Sequence, residues 1–117
     1  MKKFWLNNPQ AHDFPAAADY LALLFTDSEV KKMVSDLQKA KTILKKAKDV
    51  LRASNLPLLP KNNIHVKANL KVVAKGKKLS PILLVRNNGK LIVADGYHRI
   101  CTIYYVSEDL EIPCRLA

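Results

Sequence analysis

No apolar run in this 117-residue chain approaches the ~20 residues that a helix needs to span a bilayer. The opening Met1-Lys2-Lys3-Phe4-Trp5-Leu6-Asn7-Asn8-Pro9 has two lysines but too little apolar sequence for a secretory signal. A cytoplasmic protein with no membrane partner is therefore expected. Cysteine is scarce: Cys101 and Cys114 stand alone, both in the apolar C-terminal third. They read as reduced core thiols rather than a disulfide or a metal pair, and no metal ligands are expected. Acidic residues are few as well, with ten Asp and Glu against twenty Lys and Arg, for a net charge of +10. Such an excess attracts polyanions over a Debye length, which favours nucleic acid, free nucleotides or acidic proteins as partners. Lysine outnumbers arginine, so the excess reads as a diffuse field that also serves solubility, more than as a base-reading surface.

At 49% hydrophobic residues, the chain can bury its own core as one domain. Residues 1–13 read as a flexible arm, with Phe4 and Trp5 suited to cover the domain or a second subunit. Pro15 fits the first turn of a helix over residues 15–25, with Ala17, Ala18, Leu21, Leu24 and Phe25 available for burial. Thr26-Asp27-Ser28-Glu29 is a capping box. From it, Val30, Met33, Leu37, Ala40, Leu44, Ala47 and Leu51 recur at alternating steps of three and four, one face of a helix. Lys41-Thr42 is the one point where that helix could divide in two. Its other face carries Lys31, Lys32, Lys39, Lys41, Lys45, Lys46, Lys48 and Arg52. This face reads first as a solvated exterior; a nucleic-acid or membrane-surface contact, or a homodimer through the apolar stripe, are the alternatives. Residues 14–56 thus form a helical extension, which ends in the Pro- and Asn-rich loop from Asn55 to Asn63.

The second half, residues 57–117, alternates differently. Asn63 caps a helix over residues 64–75, with Val66, Leu70 and Val73 inward and Gly76 as its stop. His65 reads as a surface or half-buried histidine. Residues 82–86 read as a buried strand, from the unbroken apolar run Ile82-Leu83-Leu84-Val85. Asn87-Asn88-Gly89-Lys90 is a hairpin turn, and residues 91–94 return as the partner strand. After Asp95-Gly96 comes a helix over residues 97–106, in which Tyr104 and Tyr105 either pack or stack on a base. A last strand covers residues 111–116, and Pro113 predicts an edge or irregular position for it.

The chemistry concentrates where strand turns to helix, at Asp95-Gly96-Tyr97-His98-Arg99. A helix start leaves N–H groups unpaired and partly positive, which suits an anion. Gly96 permits positive φ or close approach to a ligand, and Arg99 offers a planar charged fork for phosphate oxygens. The plainer reading makes Asp95 a cap and His98 and Arg99 surface residues. A cap, however, gains nothing from a His-Arg pair set against the dipole. Asp95 and His98 are the only evident acid–base candidates for catalysis.

Gly-x-His-Arg between strand and helix, preceded by Ser80-Pro81-Ile82-Leu83-Leu84-Val85 and followed by Ile112-Pro113-Cys114-Arg115-Leu116, resembles the ParB/sulfiredoxin superfamily. The likeness runs from about residue 63 to the end and is nearest to stand-alone ParB-like domains. It implies an α/β (α+β) fold, a small mixed sheet with helices. It further implies a nucleotide, ATP or CTP with magnesium, or a nucleic-acid phosphate held at Gly96, Tyr97, His98 and Arg99. Ser80 would assist, as would Lys67 and Lys71 from the preceding helix. Nuclease or nucleotide-hydrolysing activity is one expectation; a non-catalytic basic module for nucleic acid or protein is the alternative. Tyr97 stands where sulfiredoxins carry their cysteine nucleophile. A phenol cannot replace that thiolate, so sulfiredoxin activity is not expected. The helix-turn-helix of chromosome-partitioning ParB proteins has no counterpart after residue 117, so site-specific centromere binding is not expected unless the N-terminal helices supply it.

Overall fold

The turn chemistry sets the frame on which everything else hangs. Asn88 and Gly89 take positive φ (51° and 75°), and they close a hairpin between β2 (Ile82–Asn87) and β3 (Lys90–Asp95). β4 (Glu111–Leu116) lies parallel to β2, and β1 (Ile43–Lys46) lies antiparallel to β4. The sheet order is β1-β4-β2-β3 in this computed structural model, which describes residues 4–117. Five helices complete the described residues: α1 (Asp13–Leu21), α2 (Asp27–Lys39), α3 (Ala47–Ser54), α4 (Ile64–Ala74) and α5 (Tyr97–Val106). The protein is thus a mixed α/β fold around one small mixed sheet. No helix among the described residues is long and apolar enough to cross a membrane.

Alternation along β2 decides the layering. Ile82 and Leu84 point into a cluster with Ala47, Val50, Leu51, Val66, Ile100, Ile103, Ile112 and Cys114, the side of α3, α4 and α5. Leu83 and Val85 point the other way, onto Ala17, Leu21, Val30 and Leu37 of α1 and α2. β2 is therefore buried on both faces, as its unbroken apolar sequence requires.

Three expectations change. The first helix starts at Asp13 and its α-helical turns end at Leu21, so Leu23 and Leu24 are left exposed. The helix read through Leu51 stops at Lys39; Ala40 turns to extended backbone, and Ile43–Lys46 pairs with β4 before α3 begins. Leu44, counted in the apolar stripe, is 42% exposed. Pro113 is not on an edge, since β4 lies between β1 and β2. In the β1–β4 register Ala47 donates to Leu110 O, so Leu44↔Pro113 falls on a non-bonded pair. The proline nitrogen then faces the β2 side, where pairing begins only at Cys114. Its missing N–H costs no ladder bond. Of the arm expected over residues 1–13, residues 1–3 lie outside the described residues. Trp5 is 1% exposed in the α3–α5 cluster, and Leu6 N–H donates to Leu79 O at 2.8 Å.

Candidate functional site

Gly96 is where the local sequence and the site geometry meet. It is the residue that caps α5, at φ 113° and ψ 16°, and having no side chain it leaves the first turn without a side-chain cap. A Cβ at this position would stand 2.4 Å from Ile82 Cδ1 and 2.8 Å from Arg99 Nη2. Glycine is required for the left-handed backbone and for the guanidinium that lies across it.

That guanidinium is committed. Arg99 Nη2 donates to Asp95 Oδ2 at 2.8 Å, and Nη1 lies 3.8 Å from Asp13 Oδ1. Asp13 is almost fully buried at the start of α1, where its Oδ2 accepts the Gln10 N–H. Arg99 Nε is buried and has no partner among the described residues. Burial raises the Asp95 carboxyl above its ordinary range, against the pull of Arg99. Arg99 is thus a bracket between two carboxylates of different elements as much as a ligand group.

A cavity of about 280 Å³ opens at this turn, lined by His65, Ala68, Asn69, Asp95, Gly96, His98 and Arg99. The His65 and His98 rings face each other with centroids 4.6 Å apart. Burial, and then the neighbouring His65, pushes the His98 pKa below its usual value, so its ring is uncharged at neutral pH. No group of three or more His, Cys, Asp and Glu able to hold a metal ion occurs among the described residues.

Of the residues anticipated here, Asp95, Gly96, His98 and Arg99 come together at the cavity. Tyr97 turns its ring away; its hydroxyl donates to Pro57 O and ties the 57–60 loop to α5. Ser80 is buried and donates to Gln10 Oε1 at 2.9 Å. Lys67 and Lys71 are exposed but do not line the cavity. A helix turns by about 100° per residue, which puts His65, Ala68 and Asn69 on one face and the two lysines nearly opposite. Asn69 and Asp13 are the residues that sequence reasoning passed over. The i, i+4 spacing of His65 and Asn69 was the available signal for the first; Asp13 carried none beyond its place in a first helical turn. Cys101 and Cys114 are buried free thiols, with Cys114 pushed up to about 11 by burial. Compared with family models, curated proteins and solved structures, the chain matches none of them.

Proposed function

We propose that this protein binds a phosphate group, of a nucleotide or a nucleic acid, in the cleft between α4 and the start of α5. The observation that carries the reading is the uncapped first turn at Gly96, opening directly into a cavity whose other wall is His65 and Asn69. Backbone N–H groups, the Asn69 amide and the imidazoles supply the donors. Arg99 is held between its two carboxylates, which offset its charge, so its main task is to position the turn. The net charge of +10 attracts a polyanion to the protein from a distance. Two features favour binding over cleavage: the Asp95 carboxylate is tied to Arg99, and the cavity has no converging set of carboxylates. In a hydrolytic step His98, uncharged at neutral pH, would be the proton acceptor. The ParB-like resemblance of the same turn points to the same ligand class.

Thermal unfolding with ATP, CTP and a short DNA duplex, each with and without magnesium, tests this. A ligand at 100 times its Kd stabilises the native state by about 2.7 kcal/mol and raises the midpoint accordingly. Paired substitution of His98→Ala and Asn69→Ala should abolish the response while leaving the Arg99 bracket intact. No response to any of the three ligands, or the same response in the double variant, would refute the reading.

A further inference from the structure

The sheet carries a second concavity that shares no lining residue with the cleft at Gly96. It lies where α3 crosses the hairpin end of the sheet, and its volume is about 400 Å³. Small-ligand pockets span about 300–1,000 Å³, so the size is adequate. Its walls are mostly carbon. Val50 and Leu84 are buried within it, and Ile43, Leu91 and Leu116 are half-buried at its sides. Ile43, Arg86 and Leu116 also line a trough that runs on toward Ala40, Lys41 and Ala117.

What surrounds this carbon is one-sided. Lys45, Arg86 and Lys90 line the slot, and Lys41 lines the trough. Asp49 is the only carboxylate side chain, and it already accepts from Arg52 Nη2 at 3.1 Å. None of the four cations has an ion-pair partner among the described residues. The Arg86 backbone is fixed, its N–H donating to Ala117 O at 2.9 Å, while its guanidinium makes no hydrogen bond among the described residues. An apolar slot ringed by unpaired cations is complementary to a ligand with a carbon body and an anionic head. Two copies meeting here would set these cations against one another, which disfavours self-association as the occupant.

We propose that this slot binds a small amphipathic carboxylate. Its acyl body lies against Val50, Ala53, Leu84, Leu91 and Leu116. Its carboxylate takes the Arg86 fork, which suits two oxygens in one plane, with Lys45 and Lys90 flanking. The proposal is independent of the phosphate reading, since the two sites share no lining residue and select different ligands.

Amide NMR spectra of the full chain, titrated with octanoate, octylammonium and acetate, test it. Octanoate should give saturable shifts at Ile43, Lys45, Ala53, Leu84 and Leu91 and none at Gly96 or His98. Acetate, which lacks the body, and octylammonium, which reverses the head, should give none. Arg86→Ala should weaken octanoate binding by about tenfold, the worth of one charge-assisted pair. Ala53 is exposed on α3, so Ala53→Trp fills the slot without disturbing the core and should abolish binding, with circular dichroism confirming the fold. The proposal fails if octanoate gives no saturable shift, if octylammonium binds as well, or if Ala53→Trp binds undiminished. It fails equally if the slot residues shift with protein concentration alone, the mark of a second copy seated there.

Discussion

At the scale of single residues, the cleft is governed by groups whose ordinary charge is altered by their surroundings. His98 is the clearest. Its pKa is lowered in the folded chain, by burial and by the facing His65, so the unfolded state takes up a proton more readily. Stability rises with pH wherever the unfolded state binds more protons. The contribution of His98 is therefore complete above its unfolded value of about 6.5 and declines as pH falls below it. Asp95 acts in the opposite sense. Burial raises its folded pKa above the ordinary carboxylate value, so the folded state binds more protons there and stability falls as pH rises through that window. Urea denaturation between pH 8 and pH 6 should show a fall in midpoint that shrinks in His98→Gln. An identical pH slope in the variant would show that the imidazole carries no such linkage.

The elements show where local signals suffice and where they do not. The Thr26 box is fully formed: Thr26 Oγ1 accepts the Glu29 N–H at 3.4 Å, and Glu29 Oε1 accepts the Thr26 N–H at 2.9 Å. It orients α2 so that Val30 and Leu37 reach the sheet. Thr26→Ala should cost about 1 kcal/mol, read as a lowered denaturation midpoint at unchanged slope, and Thr26→Ser should recover most of it. Such features were legible because their physics is confined to a few neighbouring residues. The same holds for the Asn-Gly hairpin, the Gly96 start of α5, and the helix and strand over residues 97–106 and 111–116. β1 was not legible. Its side chains at Leu44, Lys45 and Lys46 are exposed, so no alternation marks a strand, and its apolar residues happen to continue the helical rhythm of α2. What makes it a strand is β4, some seventy residues away, whose free edge it fills. The cleft was half legible for the same reason. The motif residues Gly96, His98 and Arg99 are contiguous, whereas His65, Asn69 and Asp13 join them only through packing.

Across the whole molecule, the N-terminal segment, read as a flexible arm whose Phe4 and Trp5 could cover the domain, is tied into the core from Trp5. Trp5 is the only tryptophan in the chain, and it lies 1% exposed in the larger apolar cluster. The backbone on either side is pinned to Leu79: Phe4 O accepts the Leu79 N–H at 2.7 Å, and Leu6 N–H donates back to Leu79 O. The segment is therefore part of the same apolar cluster as Ile100 and Ile103 of α5. Removing the ring by Trp5→Ala should cost about 3–5 kcal/mol, the usual loss for a large buried aromatic. Against a total of about 5–15 kcal/mol for a domain, that is a large fraction. One opposing effect is built in. Among the described residues the buried indole Nε1 has no hydrogen-bond partner, and such a donor costs about 1–3 kcal/mol. Trp5→Phe keeps most of the ring and removes that donor, so it should be far milder than Trp5→Ala. The wild-type chain supplies its own readout. Native emission should be that of an indole shielded from water, shifting red in one step with the loss of helical circular dichroism. A water-exposed emission maximum in the native state, or a Trp5→Ala variant as stable as the parent, would mean the segment is an arm and not part of the core.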